Sequence, residues 1–113
     1  MESNIILYTS NNGEVSIQVQ YEDGTFWLTQ KRMADLFGVN VNTINYHLKE
    51  LYKSAELLEE RTIRKIRIVQ TEGKREVERD VTFYHLDAII AVGYKVNSAQ
   101  AVQFRQWDTK TLN

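Results

Sequence analysis

The run Gln30-Lys31-Arg32-Met33-Ala34-Asp35-Leu36-Phe37-Gly38-Val39-Asn40-Val41-Asn42-Thr43-Ile44-Asn45-Tyr46-His47-Leu48 has the spacing of two short helices meeting at a tight turn. Thr29 is a good N-cap, and Leu28 before it and Met33 after it stand at the spacing of a hydrophobic staple, so a helix is predicted over Gln30 to Phe37. Gly38 ends it, Val39 and Asn40 make the turn, and Asn40 caps a second helix from Val41 to about Lys53. The apolar positions of that helix, Val41, Ile44, Leu48 and Leu51, fall three or four apart. Ala34 is small where the second helix would cross the first, and Phe37, Val39, Ile44 and Leu48 fill the wedge between them.

Burying that stripe turns Asn42, Thr43, Asn45, Tyr46 and Lys49 outward. Two amphipathic helices joined at a glycine are common in small proteins. This outer face, however, is rich in amide and hydroxyl groups rather than the Glu and Lys of an ordinary solvated helix. Such groups fit a DNA major groove, where Asn can bond adenine bidentately, Thr and Tyr reach bases or phosphates, and Lys meets the backbone.

Upstream, Ile5 to Leu28 alternates like strands and is divided by Asn11-Asn12-Gly13 and Glu22-Asp23-Gly24, which predicts a three-stranded antiparallel meander over 5–28. Downstream, a polar connector from Ser54 to Glu60 leads to β-branched runs at Thr62 to Val69 and Val77 to Tyr84, a hairpin turning at Thr71-Glu72-Gly73-Lys74 and spanning 61–84. Lys65 and Arg67 alternate with Ile66 and Ile68, giving one basic and one apolar face, the pattern of a wing. The remainder, 86–112, reads as two helices: Leu86 to Val92, ended by Gly93, then Ser98 to Leu112, opened by Asn97 with Gln100 three residues on. Ala101, Phe104, Trp107 and Leu112 mark its expected buried side.

The net charge of −1 hides an uneven distribution: residues 1–60 sum to −5, residues 61–79 to +4, and residues 80–113 to zero. The basic segment is the hairpin. There Lys65, Arg67, Lys74 and Arg75 are candidate phosphate contacts, with Arg61 and Arg64 beside them. Glu72, Glu76 and Glu78 leave a second reading open, in which alternating charge on a solvated hairpin blunts edge pairing.

At 113 residues the chain is one domain's length, and 42% hydrophobic with 26% charged residues excludes wholesale disorder. It has no cysteine, no apolar run of about 18 residues, and a start, Met1-Glu2-Ser3-Asn4, unlike a signal peptide, so a cytoplasmic location is expected. His47 and His85 lack ligand spacing, and there is no nucleophile elbow or phosphate-cradling loop, so no metal, cofactor or catalytic residue is expected. A nuclease would need Asp35, Asp87 and Asp108 to converge, and their spacing gives no hint of it. Trp27, Phe83, Phe104 and Trp107 read as core.

Phe26-Trp27-Leu28-Thr29-Gln30, Met33-Ala34-Asp35-Leu36-Phe37-Gly38-Val39, Leu86-Asp87-Ala88-Ile89-Ile90-Ala91-Val92-Gly93-Tyr94-Lys95-Val96-Asn97-Ser98 and Gln103-Phe104-Arg105-Gln106-Trp107 together resemble the RhuM-type virulence protein family of bacteria, over nearly the whole chain. That family is similar to prophage and mobile-element proteins with KilA-N or Bro-N type amino-terminal domains. The resemblance therefore implies DNA binding in the service of a prophage, mobile element or virulence locus. Some relatives carry Fic-type domains, but nothing in this chain resembles their His-containing motif, so no catalytic activity carries over. The family pattern implies a small residue where Asp108 follows Trp107, and this chain departs from it.

The resulting expectation is an α+β, winged helix-turn-helix domain: an amino-terminal antiparallel β-meander, a helix-turn-helix at 29–53, a β-hairpin wing and carboxy-terminal helices. Its partner would be double-stranded DNA, bound sequence-dependently in transcriptional regulation and by a homodimer, since one reading helix and modest charge bind weakly alone. The alternative is a protein-interaction or oligomerisation module of a larger protein, working through its carboxy-terminal helices.

Overall fold

A computed structural model describes residues 4–112. The chain runs β1 (Ile5–Thr9), β2 (Ser16–Glu22), β3 (Thr25–Leu28), α1 (Gln30–Phe37), α2 (Val41–Lys53), α3 (Glu59–Thr62), β4 (Ile63–Glu72), β5 (Arg75–His85), α4 (Leu86–Val96) and α5 (Ser98–Leu112). It is an α+β fold with one five-stranded antiparallel sheet, ordered β1-β2-β3-β5-β4. The meander is present, and Asp23 and Gly24, at φ 50° and 76°, take the two left-handed turn positions that a tight hairpin between β2 and β3 requires.

Meander and hairpin are parts of the same sheet. β3 pairs with β5 through Trp27 opposite His85 and Leu28 opposite Tyr84. One side of the sheet carries the main core, where Val19, Phe26, Leu28 and Tyr84 meet Met33, Leu36 and Phe37 of α1, Ile44 and Leu48 of α2, and Ile89, Val92 and Phe104 from α4 and α5. The other side carries a smaller cluster of Trp27, Ile66 and Phe83, with Ile68 and Val81 packed against it. Arg64 lies over the Trp27 ring at 4.5 Å and pairs with Asp23, tying the base of β4 to the β2–β3 turn.

Several expectations change. Gly93 does not end a helix; α4 continues through it to Val96. A β-carbon there would stand 2.5 Å from Phe37 Cζ and 2.8 Å from Ala101 Cβ, so glycine is needed where α1, α4 and α5 touch. On α5 the buried residues are Ala101, Phe104 and Asp108; Leu112 is exposed, because the packed stripe has run past the body of the protein by the last turn. Val41 is likewise exposed, at the first position of α2. The connector after α2 ends in a helical turn, α3, that takes in Arg61 and Thr62, so the hairpin begins at Ile63. Thr62 Oγ1 there accepts from the Tyr52 hydroxyl at 2.8 Å and donates to Leu58 O, which joins α3 to α2.

Candidate nucleic-acid interface

The helix pair is set by its caps. Thr29 Oγ1 accepts from the backbone N–H of Arg32 at 3.1 Å, and Gly38 ends α1 with φ 70°, its N–H donating to Ala34 O. Asn40 Oδ1 accepts from the N–H of Thr43 at 3.1 Å, opening α2. Ile44, Leu48 and Leu51 are buried, and the 3.6-residue period carries Asn42, Tyr46 and Lys49 into solvent along one stripe, which Lys53 continues.

Two of the residues picked from sequence sit differently. Thr43 is half-buried and its hydroxyl donates to Asn40 Oδ1 at 3.2 Å, so it belongs to the cap. Asn45 is half-buried, and its Oδ1 accepts from Gln30 Nε2 at 3.3 Å. The same Gln30 nitrogen donates to the Tyr84 hydroxyl at 2.9 Å. Gln30, which sequence reasoning did not single out, thereby links α1, α2 and β5.

That link relates the hairpin to the helices. Side chains alternate across a strand, so Tyr84, Thr82 and Asp80 share one face of β5, and their partners Ile63, Lys65 and Arg67 share it on β4. This is the side on which Tyr84 meets Gln30 and Asn45. Lys65 and Arg67 thus project from the helix-bearing side of the sheet, while Ile66, Phe83 and Trp27 lie on the other.

The basic residues of the hairpin are not equally free. Arg67 Nε donates to Asp80 Oδ1 at 3.0 Å, and its Nη1 stands 3.7 Å from Glu78. The hydrogen bond from Arg67 holds the Asp80 carboxyl below its ordinary pKa. At the tip, Arg79 makes two bonds to Glu72, at 2.6 and 2.8 Å. Lys65, Lys74 and Arg75 are exposed, and among the described residues no salt bridge engages them. Also among the described residues, no three His, Cys, Asp or Glu side chains gather as a metal site, and no helix is long and apolar enough to cross a membrane.

Behind the helix pair, Asn97 Nδ2 donates to Phe37 O at 3.0 Å while its Oδ1 accepts from the N–H of Gln100 at 3.3 Å. The segment from Gly93 to Asn97 therefore fastens the end of α1, just before the turn into α2, and caps α5. Gln100 Oε1 is buried with no partner among the described residues, and the Asn97 N–H donates to Gly93 O instead, so Gln100 does not return the cap. Asp108 is buried to 8% exposure within 4.0 Å of Arg105, and burial raises its pKa above the ordinary carboxylate value.

No curated protein and no solved structure matches the chain. Residues 61–113 match the family model described as Virulence protein RhuM family. The match takes in the hairpin, α4 and α5, including the Leu86 to Ser98 and Gln103 to Trp107 motifs, and does not extend to Phe26–Gln30 or Met33–Val39. From residue 61 onward, the chain is similar to the RhuM family.

Proposed function

We propose that the chain binds double-stranded DNA as a winged helix-turn-helix, with α2 in the major groove and the β4–β5 hairpin as the wing. The observation that carries this reading is the shared side: the α2 stripe of Asn42, Tyr46 and Lys49 and the hairpin residues Lys65 and Arg67 belong to one side of the sheet, joined through Asn45, Gln30 and Tyr84. A strand before the helix pair, β3, pairing with the second strand of the hairpin is also how a wing is braced against such helices. Asn42 reads bases; Tyr46, Lys49, Lys65, Lys74 and Arg75 meet phosphates. Binding is as a homodimer, and the resemblance to the RhuM family supports regulation of a prophage, mobile element or virulence locus as its setting.

The test is a fluorescence-anisotropy titration of the chain with mixed-sequence duplex DNA at two salt concentrations. Binding that weakens as salt rises supports the reading. No binding at low salt overturns it. Tyr94 and Val102, exposed on α4 and α5, favour a second reading in which these helices dock a protein partner. Self-association without any affinity for DNA would select that one.

A further inference from the structure

β3 is four residues long, and its neighbours are not. It faces β2 from Thr25 to Trp27 and β5 only at Trp27 and Leu28, after which the chain leaves the sheet for α1. Residues 16–19 of β2 and 75–83 of β5 continue on either side of a lane that holds no strand. Where β3 is present the two strands are separated by two inter-strand spacings, about 9.6 Å. Alternate residues on such inner edges turn their N–H and C=O groups into the lane.

Two observations mark those edges as open. On β2, Gln18 O accepts from Arg32 Nη1 at 2.6 Å, and Gln18 Oε1 from Nη2 at 3.3 Å, so a side chain stands where a strand's N–H would. On β5, among the described residues, the backbone of residues 75–83 makes no hydrogen bond except those to β4. A groove of about 490 Å³ opens over the lane. Ile68, Val81 and Phe83 form its apolar wall, with Arg32 and Lys31, the latter 3.7 Å from Asp35, beside it; among the described residues no carboxylate lines the groove itself.

We propose that this lane receives an extended, acidic peptide segment of a partner protein, added as a strand between β2 and β5. An incoming N–H takes the Gln18 carbonyl, and the displaced Arg32 guanidinium, with Lys31, takes a carboxylate on the peptide. The residue two positions along the strand from that carboxylate faces the same side and turns an apolar side chain toward Val81 and Phe83. The groove lies on the side of the sheet opposite Lys65 and Arg67, so this inference goes beyond the DNA-binding reading and stands or falls apart from it.

The test uses a labelled peptide of about eight residues in which glutamate and valine take turns at every second position, so that both face the groove, with threonine between them; at about 3.3 Å per residue it can run along residues 75–83 of β5. It is titrated with the whole chain and followed by fluorescence anisotropy. Binding is expected, at least about tenfold weaker when lysine replaces glutamate or when the chain carries Arg32→Glu. The same peptide N-methylated at alternate amides should lose binding, because it cannot donate to the lane edges. Duplex DNA should not displace the peptide. No binding up to millimolar peptide, equal binding of the N-methylated peptide, or displacement by DNA would each overturn the proposal.

Discussion

The ring of Phe37 lies against the backbone of Gly93, its Cζ 2.5 Å from where a β-carbon would stand. Gly93→Ala must push apart α1, α4 and α5 at a point where Ala101 Cβ is also within 2.8 Å. Overpacking of this kind costs about 1–3 kcal/mol, and the better helix propensity of alanine returns about 1 kcal/mol. The expected result is a lower urea midpoint with an unchanged slope. Phe37→Leu in the same chain should remove part of the Gly93→Ala penalty, a coupling that a double-mutant cycle measures.

Asn97→Ala removes both the α5 cap and the donor to Phe37 O. The cap accounts for about 1 kcal/mol and the stranded carbonyl for about 1 kcal/mol more. Asn97→Asp keeps the acceptor and loses the donor, so its thermal midpoint should fall between alanine and wild type. An Asn97→Asp midpoint equal to that of wild type would show that the bond to Phe37 contributes nothing.

Asp108 makes stability depend on pH with a definite sign. Burial raises its pKa, the nearby Arg105 works against this, and Asp87 adds to it. A carboxyl with a raised folded pKa holds its proton more tightly in the folded state. Its ionisation therefore removes stability as pH climbs from the ordinary carboxylate value through the raised one. Asp108→Asn should be more stable than wild type in urea at neutral pH, with the difference shrinking below about pH 4. A variant less stable at neutral pH would show that the charge is matched after all.

On the proposed DNA-binding reading, Asp80 competes with phosphate for Arg67. Asp80→Asn should strengthen binding to duplex DNA and steepen its salt dependence by about one unit. Asn42→Ala should instead reduce preference among sequences, and Lys65→Ala should weaken binding to all of them. If none of the three changes DNA affinity, the surface is misassigned.

Ala55, just beyond α2, has φ 64°, a left-handed conformation that favours glycine. Ala55→Gly should raise the thermal midpoint by the equivalent of about 1 kcal/mol. A lower midpoint would mean that the flexibility glycine adds to the unfolded chain outweighs the relieved strain.

What could be read from sequence is what local chemistry controls. The caps at Thr29 and Asn40, the left-handed Gly38 and the two meander turns each depend on residues within a few positions of one another. The exposed stripe of α2 followed from helical period alone. Thr43 was mistaken for an outward-facing group although it is the third residue after its cap, where the backbone N–H is already engaged and the hydroxyl lies close by. The pairing of Arg67 with Asp80 was also legible in principle, since the Gly73-Lys74 turn sets the register that puts them opposite each other. Gly93 was misread because a glycine that stops a helix and one that admits a neighbour's ring look alike until the neighbour, Phe37, is known. The contact between β3 and β5, and with it the role of Gln30, joins residues far apart in sequence, so no local signal carries it.

Leu28 and Tyr84 stand side by side in the sheet, so everything between them forms a closed loop of chain containing α1, α2, α3 and β4. The entropy lost on closing such a loop grows only slowly with its length, about 0.6 kcal/mol for each doubling. The largely exposed stretch between Ser54 and Leu58 is where this loop can lengthen without moving α2 or the hairpin. Insertions in related sequences should gather there, leaving both ends of the loop in their place.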